Sequence, residues 1–407
     1  MTEHMTRLII LESNISVKGG HYQTTPLAIS TIYPKYEHHL LCDATLPMAY
    51  RGSIRSVNTS LARVEWKTVN DPQATWFNKM KIHLRRILAL RSGFPEVMQA
   101  YCQSLKITRD DHLLVPSCSK RLMRAIVRWL QASDGADLPT VHIRCIAESE
   151  PFEYMQEFGV ETLRELIDQK RLFLYTETRA HRAILLQHYG IKASNTLIVP
   201  CNIYPDMERP AASCVASDLI GPLTVGVLGG PRPDKGSDRI APIVEALRAL
   251  YATDTETTQV DVMVQVSAAL AAQENHICNR LHNLPAYHNG VNLRFLETGI
   301  SRDDYVRQLF ACDVLLIPYL ADKRRCQGSG IILDAVFAKR PLIYTKGIAF
   351  EEYLEHGNAM EAVSDAEFAQ RIYALARDRG ALSEGTERAY GFALQKILNP
   401  PVLEKPR

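Results

Sequence analysis

Short apolar runs alternate along nearly the whole chain with longer stretches in which apolar residues recur every three or four positions. The short runs predict β-strands, and the longer stretches predict helices that bury one face. Several runs, including LLVP, LTVGVL and DVLLIP, are apolar almost throughout, as strands covered on both faces must be. The pattern therefore predicts βαβ units and mainly parallel sheets.

The predicted elements fall into two groups. In the first half, strands are predicted at Arg7–Leu11, His39–Asp43, His112–Pro116, Val141–Ile146, Arg171–Tyr175 and Thr196–Val199. In the second half, they are predicted at Leu223–Leu228, Val260–Val266, Val291–Leu296, Asp313–Pro318 and Pro341–Tyr344. The predicted helices include Lys120–Leu130, Thr178–Tyr189, Asp238–Tyr251 and Arg302–Phe310. Because the alternation occurs twice, we expect an α/β protein with two doubly wound domains.

The segment between the two groups is the predicted linker. Residues 201–222, CNIYPDMERPAASCVASDLIGP, contain three prolines, a glycine and many small residues, which is typical of a loop. The expected organisation is an N-terminal Rossmann-like domain at 1–205, a linker at 206–222, a C-terminal Rossmann-like domain at 223–385 and a tail at 386–407 that returns to the N-terminal domain. Open α/β sheets bind ligands beyond the carboxyl ends of their strands. Functional residues are therefore expected in loops that follow strands, along a cleft between the two domains.

The charge balance excludes a bulk attraction for nucleic acid. Lys and Arg total 47 against 45 for Asp and Glu, which leaves a net charge of +2, so any anion must be bound by a local cluster. Nine cysteines without a CxxC pair indicate reduced thiols, as in the cytoplasm. No apolar run approaches the roughly 20 residues that a membrane-spanning helix needs.

The first candidate loop, LGGPRPDKGSDR, follows the first strand of the second half. Gly229 and Gly230 permit a tight turn, and Gly236 precedes a helix whose N–H groups favour an anion. Arg232 and Lys235 are placed to reach phosphate oxygens, the first as a planar fork and the second as a point charge. The loop predicts a diphosphate site, with an exposed turn carrying two solvated cations as the alternative.

The second candidate loop, YLADKRRCQGSG, opens another helix of the same half. Gly328, Ser329 and Gly330 are small enough for a diphosphate to approach the backbone N–H groups. Asp334 follows about one turn later, where its carboxylate is placed to accept hydrogen bonds from ribose hydroxyls. An ordinary surface acid is the alternative for Asp334. Of the three cations in this loop, at most one is expected to touch ligand.

The third candidate loop, ESNISVKGGHYQTT, follows the first strand of the chain. Gly19 and Gly20 permit close approach of a ligand to the backbone, the donor diphosphate included, although a flexible turn explains them nearly as well. His21 lies beside them, and Glu148 lies on another loop of the same half. His21 and Glu148 are the candidate catalytic bases.

A basic amphipathic stretch, WFNKMKIHLRRILALRSGF, occupies residues 76–94. A helix with aromatic and apolar residues among several cations is able to lie on an anionic membrane surface. The alternative is an amphipathic helix packed on its sheet with a solvated basic face. We expect a cytoplasmic protein with peripheral contact at the inner face of the membrane through this stretch.

Taken together, these features resemble the GT-B glycosyltransferases, in particular the large retaining group called family 4. In the family pattern G-R-x-x-x-x-K-G, Gly229, Lys235 and Gly236 match, whereas Gly230 stands at the arginine position and Arg232 follows two residues later. The stretch ISRDDYVRQLFACDVLLIPY looks like the family's acidic helix and following strand. In GSGIILDAVFAKRPLIY, Asp334 and Ala335 stand where the family usually has Glu-Ala, and Cys326 stands where an earlier glutamate is usual.

The resemblance implies two Rossmann-like domains that face each other and a hexosyltransferase activity. The donor would be a nucleotide-diphosphate sugar bound chiefly by the C-terminal domain. The acceptor would be a saccharide or a lipid-linked saccharide bound by the N-terminal domain near Gly19, Gly20 and His21. The reaction would belong to cell-envelope or exopolysaccharide synthesis and would retain configuration. No cofactor is implied, and no D-x-D triplet points to a metal. Positive groups beside the departing diphosphate would stabilise the transition state more than the ground state.

Two other functions fit the same residues. Loss of the usual glutamate at Cys326 is compatible with a catalytically silent GT-B module that binds a glycan or a protein partner. A nucleotide-sugar epimerase of the same architecture is the other alternative. A dehydrogenase is disfavoured because no G-x-G-x-x-G follows the first strand of either half.

Overall fold

The computed structural model describes residues 5–16, 22–48, 51–64, 93–133, 138–146, 160–203, 221–253 and 259–405, together with residues 78, 80 and 84. The chain divides into two compact units. The first unit is Met1–Val199 with Pro400–Arg407, and the second is Pro200–Asn399. The segment predicted as a tail is thus shared, because the helix Ser383–Leu398 belongs to the second unit and residues 400–407 belong to the first.

The first unit is built on a parallel sheet. Its described strands are β1 Arg7–Glu12, β2 Glu37–Cys42, β3 Ile54–Asn58, β4 His112–Cys118, β5 Thr140–Cys145, β6 Leu172–Thr176 and β7 Asn195–Thr196. They follow the order β3-β2-β1-β4-β5-β6-β7, and all neighbours are parallel. The described helices are Thr25–Ile32, Phe94–Leu105, Lys120–Ala132, Val160–Asp168 and Arg179–Tyr189. The order reverses between β1 and β4, which is the point where such sheets bind ligands.

The second unit repeats this plan. Its described strands are β8 Leu223–Val227, β9 Val260–Gln265, β10 Tyr287–His288, β11 Val291–Leu296, β12 Val314–Ile317, β13 Leu342–Thr345 and β14 Ala359–Ala362. They follow the order β10-β11-β9-β8-β12-β13-β14, in which β10 alone is antiparallel to its neighbour. The described helices are Ile240–Ala252, Ala268–Ala271, Asn279–His282, Arg302–Phe310, Ala321–Arg324, Gly330–Phe337, Glu351–Leu354, Asp365–Arg377 and Ser383–Leu398. The reversal lies between β8 and β12.

Burial of the central strands explains their apolar sequences. Every residue of β4 and of β12 is buried, as expected for strands with helices on both faces. The helix Lys120–Ala132 begins at Ser119, whose side chain accepts a hydrogen bond from the Leu122 N–H. One face of this helix contributes Ile126 and Trp129 to the core of the first unit. Each unit therefore has its own core.

The predicted fold class is confirmed, and so are most of the predicted elements. All predicted strands overlap strands of the structure, and the bounds of Val291–Leu296 and Arg302–Phe310 are identical. The sequence pattern missed β3, β10 and β14. These strands are short and lie at or near sheet edges, where partial exposure removes the continuous apolar run. Among the described residues, no helix combines the length and apolarity required to cross a membrane.

Candidate active site

The turn after β8 is held in its shape by two glycines with positive φ. Gly229 has φ 89°, and its N–H donates to Gln265 Oε1 at 2.6 Å. Gly236 has φ 64°, and a Cβ added there would lie 2.0 Å from the Pro318 carbonyl oxygen. Between them, Pro233–Lys235 forms a single 3₁₀ turn. The backbone geometry therefore requires glycine at 236 and fixes the direction in which Lys235 leaves the chain.

Two guanidinium groups share one carboxylate in this turn. Arg232 Nε lies 3.4 Å from Asp234 Oδ1, and the Arg324 guanidinium bonds Asp234 Oδ2. The Arg324 side chain is only 4% exposed and lies over the Tyr319 ring, whereas the Arg232 side chain is 53% exposed. Arg324 is thus the buried member of the three cations predicted in the second loop. Its exposed counterpart Arg232 is free to turn towards a ligand.

Lys235 adds a third positive charge beside this pair. Partial burial, followed by the charges of Arg232 and Arg324, lowers the pKa of Lys235 to about 8, and Asp234 opposes the shift. Three cations around one carboxylate leave an excess of positive charge. A bound anion would relieve this repulsion and keep Lys235 protonated.

The helix Gly330–Phe337 begins beside the same cluster. Ser329 stands at its N-cap position, but its hydroxyl lies 3.2 Å from the Tyr319 hydroxyl and does not cap the helix. The first N–H groups of the helix therefore lack a side-chain cap, and the helix dipole makes this end favourable for an anion. Gly328 lies half-buried in the segment just before it. A Cβ at Gly330 would lie 2.9 Å from Cys201 Sγ, so a larger residue there would force the Cys201 side chain to shift.

The two predicted loops meet at Gly229. A Cβ at Gly229 would lie 2.6 Å from Ile331 Cδ1 and 2.8 Å from Lys235 Nζ. Ile331 is the second residue of the helix Gly330–Phe337. The Lys235 ammonium group and the Ile331 side chain thus lie against the same glycine, which brings together two loops separated by almost a hundred positions in the chain.

Asp334 does not fit its predicted role as a ribose ligand. It is 1% exposed, and its Oδ1 accepts the N–H groups of Asn202 and Ile203 at 2.9 and 3.1 Å. Its Oδ2 accepts the Asn202 side-chain amide at 2.8 Å and the Tyr305 hydroxyl at 3.0 Å. Burial raises the pKa of Asp334, and these hydrogen bonds oppose the rise. Both oxygens are engaged within the protein, so this geometry gives Asp334 a structural role. Cys326, at the position of the usual glutamate, is also buried.

Several predicted residues lie outside the described part of the chain. They are Gly19, Gly20, His21 and Glu148, and most of the stretch 76–94 lies there as well. Arg144, a further polar residue of the first unit, is buried and bonds the Leu197 and Pro116 carbonyl groups and Glu177. Asp234 was not among the predicted site residues, although it lies between Arg232 and Lys235 in the first candidate loop.

The fold matches solved structures over nearly its whole length. A glycosyltransferase from Rickettsia africae ESF-5 gives a TM-score of 0.62 at 10% identity, with 97% of this chain and 95% of that chain covered. Anabaena Alr3699/HepE in complex with UDP and glucose gives 0.57 at 13% identity, with 97% of each chain covered. A structure assigned as a UDP-N-acetylglucosamine 2-epimerase from Listeria monocytogenes gives 0.57 at 11% identity, with 97% and 95% covered. No protein-family model and no curated protein sequence matches the chain.

These similarities define the class of fold. The chain has two doubly wound units of this topology, and a glycosyltransferase structure matches it over nearly its whole length. This architecture is the GT-B fold. The resemblance stated from the sequence is thus confirmed for the fold. One fold hosts several chemistries, so the function depends on the residues of the site.

Proposed function

We propose that the protein is a glycosyltransferase that moves a hexosyl group from a nucleoside diphosphate sugar to a saccharide acceptor. Its second unit would hold the donor diphosphate between the Lys235 turn and the start of the helix Gly330–Phe337. The observation that carries the proposal is the convergence of Lys235 Nζ and Ile331 on Gly229. The Ile331 side chain brings the start of a helix with an uncapped N-terminus next to this cation and glycine, and a cation beside such a helix start favours a diphosphate.

The proposed chemistry depends on charge that develops during the reaction. As the glycosidic bond breaks, the leaving diphosphate gains negative charge, so groups already in place stabilise the transition state more than the ground state. The Arg324 guanidinium group is held in place by its bond to Asp234. Its positive charge therefore acts on the diphosphate site before any ligand binds. Lys235 and Arg232 are the groups expected to touch phosphate oxygens. Ser329, Gly328 and Gly330 would line the backbone side.

The similar structures support a uridine nucleotide as donor. Alr3699/HepE is in complex with UDP and glucose, and the Listeria protein is assigned a UDP-sugar reaction. The finer expectations belong to the same proposal: retention of configuration, no metal requirement, a cytoplasmic site of action and a role in cell-envelope or exopolysaccharide synthesis. A lipid-linked acceptor would be reached through the basic stretch 76–94.

An epimerase is the second candidate because the Listeria structure assigned to that activity matches 97% of this chain. The two activities differ in what they require. An epimerase converts UDP-N-acetylglucosamine alone, whereas a transferase consumes the donor fully only when an acceptor is present. Incubation with UDP-N-acetylglucosamine followed by NMR of the sugar separates them.

Calorimetric titration with UDP tests the diphosphate site. At pH 7, Lys235→Ala should weaken UDP binding by about tenfold or more, since it removes a charge-assisted hydrogen bond. In the wild type, affinity should fall as the pH rises through about 8, because Lys235 then loses its proton. Lys235→Arg should remove this fall, because a guanidinium group stays protonated.

Lys346→Ala is the matched control. Lys346 is an exposed lysine of the same unit that pairs with Glu361 at 3.2 Å. UDP should bind this variant as it binds the wild type. The diphosphate assignment is wrong if Lys235→Ala also leaves the affinity unchanged.

A further inference from the structure

The turn that carries Lys235 contains a carboxylate within the proposed anion site. Asp234 Oδ1 lies 3.4 Å from Arg232 Nε, and Asp234 Oδ2 accepts a hydrogen bond from the Arg324 guanidinium group. A carboxylate beside a bound diphosphate repels it, which lowers the affinity for the ligand. The presence of Asp234 therefore requires a role other than direct contact with the phosphates.

Arg324, the first partner of Asp234, is fixed from several sides. Its side chain is 4% exposed and lies 5.1 Å from the centroid of the Tyr319 ring. Its backbone carbonyl group accepts the Ala349 N–H at 2.9 Å. Arg324 Nε is buried without a hydrogen-bond partner among the described residues, so loss of the bond to Asp234 would leave this buried charge poorly compensated. Arg324 and Asp234 are therefore expected to stay paired.

Arg232, the second partner, combines a fixed backbone with an exposed side chain. Its N–H donates to Ser237 Oγ at 2.9 Å, and its carbonyl oxygen accepts the Lys235 N–H at 3.1 Å. Its side chain is 53% exposed, and 3.4 Å is long for a charge-assisted contact with Asp234. Exposed ion pairs of this kind are weak. The Arg232 guanidinium group is thus able to exchange partners, whereas that of Arg324 is not.

We propose that Asp234 is a positioning residue, which holds Arg232 beside the empty diphosphate site and competes with the phosphates for it. On binding, Arg232 exchanges the carboxylate for a phosphate oxygen, and Arg324 keeps Asp234 paired. In the empty site the carboxylate also reduces the repulsion among the neighbouring cations. The inference rests on the proposed function, because it describes how the same site takes up and releases the nucleotide.

The Asp234 charge also acts on Lys235. Burial and then the charges of Arg232 and Arg324 lower the pKa of Lys235 to about 8, and the charge of Asp234 opposes this shift. These charged groups belong to the Lys235 turn and to the helix Ala321–Arg324. An uncharged residue at 234 should therefore lower the pKa of Lys235 further. The substitution has two opposite effects on anion binding: it releases Arg232, and it lets Lys235 lose its proton at a lower pH.

Calorimetric titration of the full-length protein with UDP at pH 6.5 tests the inference. Asp234→Asn keeps the shape of the side chain, and its amide oxygen can still accept a bond from Arg324. This variant should bind UDP about fivefold more tightly than the wild type, because the exposed pair no longer competes with the ligand. In an Arg232→Ala background, the same substitution should change the affinity by less than about twofold, since the competition acts through Arg232.

Arg232→Ala by itself gives a second measurement that leaves Asp234 in place. It should weaken UDP binding by about threefold, less than the tenfold loss expected for Lys235→Ala. The reason is that Arg232 gives up a partner in order to bind the phosphates. A loss as large as that of Lys235→Ala would contradict the competition.

The pH profile separates positioning from a merely structural role. In Asp234→Asn, the affinity for UDP should begin to fall at a lower pH than in the wild type, so the gain seen at pH 6.5 should shrink towards pH 8. Comparison at one pH cancels the ionisation of UDP itself. A displaced turn would instead weaken binding throughout the pH range.

Asp238→Asn is the matched control. Asp238 is an exposed aspartate four positions further along the chain, and its charge acts on Cys278. This variant should bind UDP as the wild type does over the same pH range.

The inference is overturned if Asp234→Asn binds UDP no more tightly than the wild type at pH 6.5, or if the gain is equal with and without Arg232. Failure of the wild type to bind UDP, or binding that does not depend on Lys235, rejects the proposed diphosphate site as well. UDP binding that depends on Lys235 but not on the charge at position 234 rejects this inference alone.

Discussion

The position of an acidic residue near the start of a helix does not by itself identify its role, as Asp334 shows. Its position one turn inside Gly330–Phe337 predicts a ribose contact, yet its partners are Asn202 and Tyr305, which lie 132 and 29 residues away in the chain. No local pattern encodes such partners. The carboxylate holds residues 202 and 203, at the start of the segment 201–222 between the two groups of strands, to the body of the second unit.

Asp334→Ala should therefore destabilise the protein rather than remove a ligand contact. The substitution leaves buried N–H and O–H donors without an acceptor, which costs about 3 kcal/mol. Urea unfolding followed by fluorescence measures the loss, and UDP affinity of the folded variant should stay within about twofold of the wild type. Asp378→Ala, at an exposed aspartate of the same unit, should change neither quantity.

The opposite result would restore the ribose assignment. A variant that unfolds like the wild type but binds UDP about tenfold more weakly would mean that the Asp334 carboxylate turns towards the ligand when the nucleotide binds.

At the scale of elements, apolar runs predicted the central strands because burial on both faces leaves little room for other residues. The edge strand β14, with sequence AMEA, is half exposed and lacks that signal. The turn at 229–236 was predicted as an anion site because glycines and cations are adjacent in the chain there. The contributions of Asp234 and Tyr319 were not predicted, since they depend on how β12 and the following loop pack against that turn.

Gly236→Ala tests whether this turn is as constrained as its backbone indicates. A left-handed φ of 64° costs a non-glycine residue about 1–2 kcal/mol, and contact of the new Cβ with the Pro318 carbonyl oxygen adds to that. We expect a loss of about 3 kcal/mol in stability and weaker UDP binding. Thermal unfolding and UDP titration give the two values.

Gly230→Ala supplies the comparison within the same turn. A Cβ at Gly230 meets nothing within 4 Å, and its φ is not positive. This variant should match the wild type within about 0.5 kcal/mol. Equal behaviour of the two alanine variants would contradict the backbone argument.

At the scale of the whole molecule, each unit has its own doubly wound sheet and its own core. Sequence patterns predict a linker where strand-helix alternation stops, and this domain division stays a prediction. They were less informative about the last residues, where PPVLEKPR has no periodicity. The assignment of residues 400–407 to the first unit depends on contacts with residues more than two hundred positions away.

Removal of residues 400–407 should therefore weaken the first unit and leave the second intact. The segment buries Leu403 and accepts hydrogen bonds from Tyr33 at Pro401 and from Tyr175 at Val402. Loss of one buried leucine and two hydrogen bonds costs about 3–4 kcal/mol. Amide hydrogen exchange should accelerate in β4, β5 and β6 but not in β8 and β9, and UDP should bind as before. Leu403→Ala should reproduce most of the effect, whereas Val402→Ala, at a side chain that is 80% exposed, should not. Faster exchange in β8 would mean that this segment stabilises the molecule by another route.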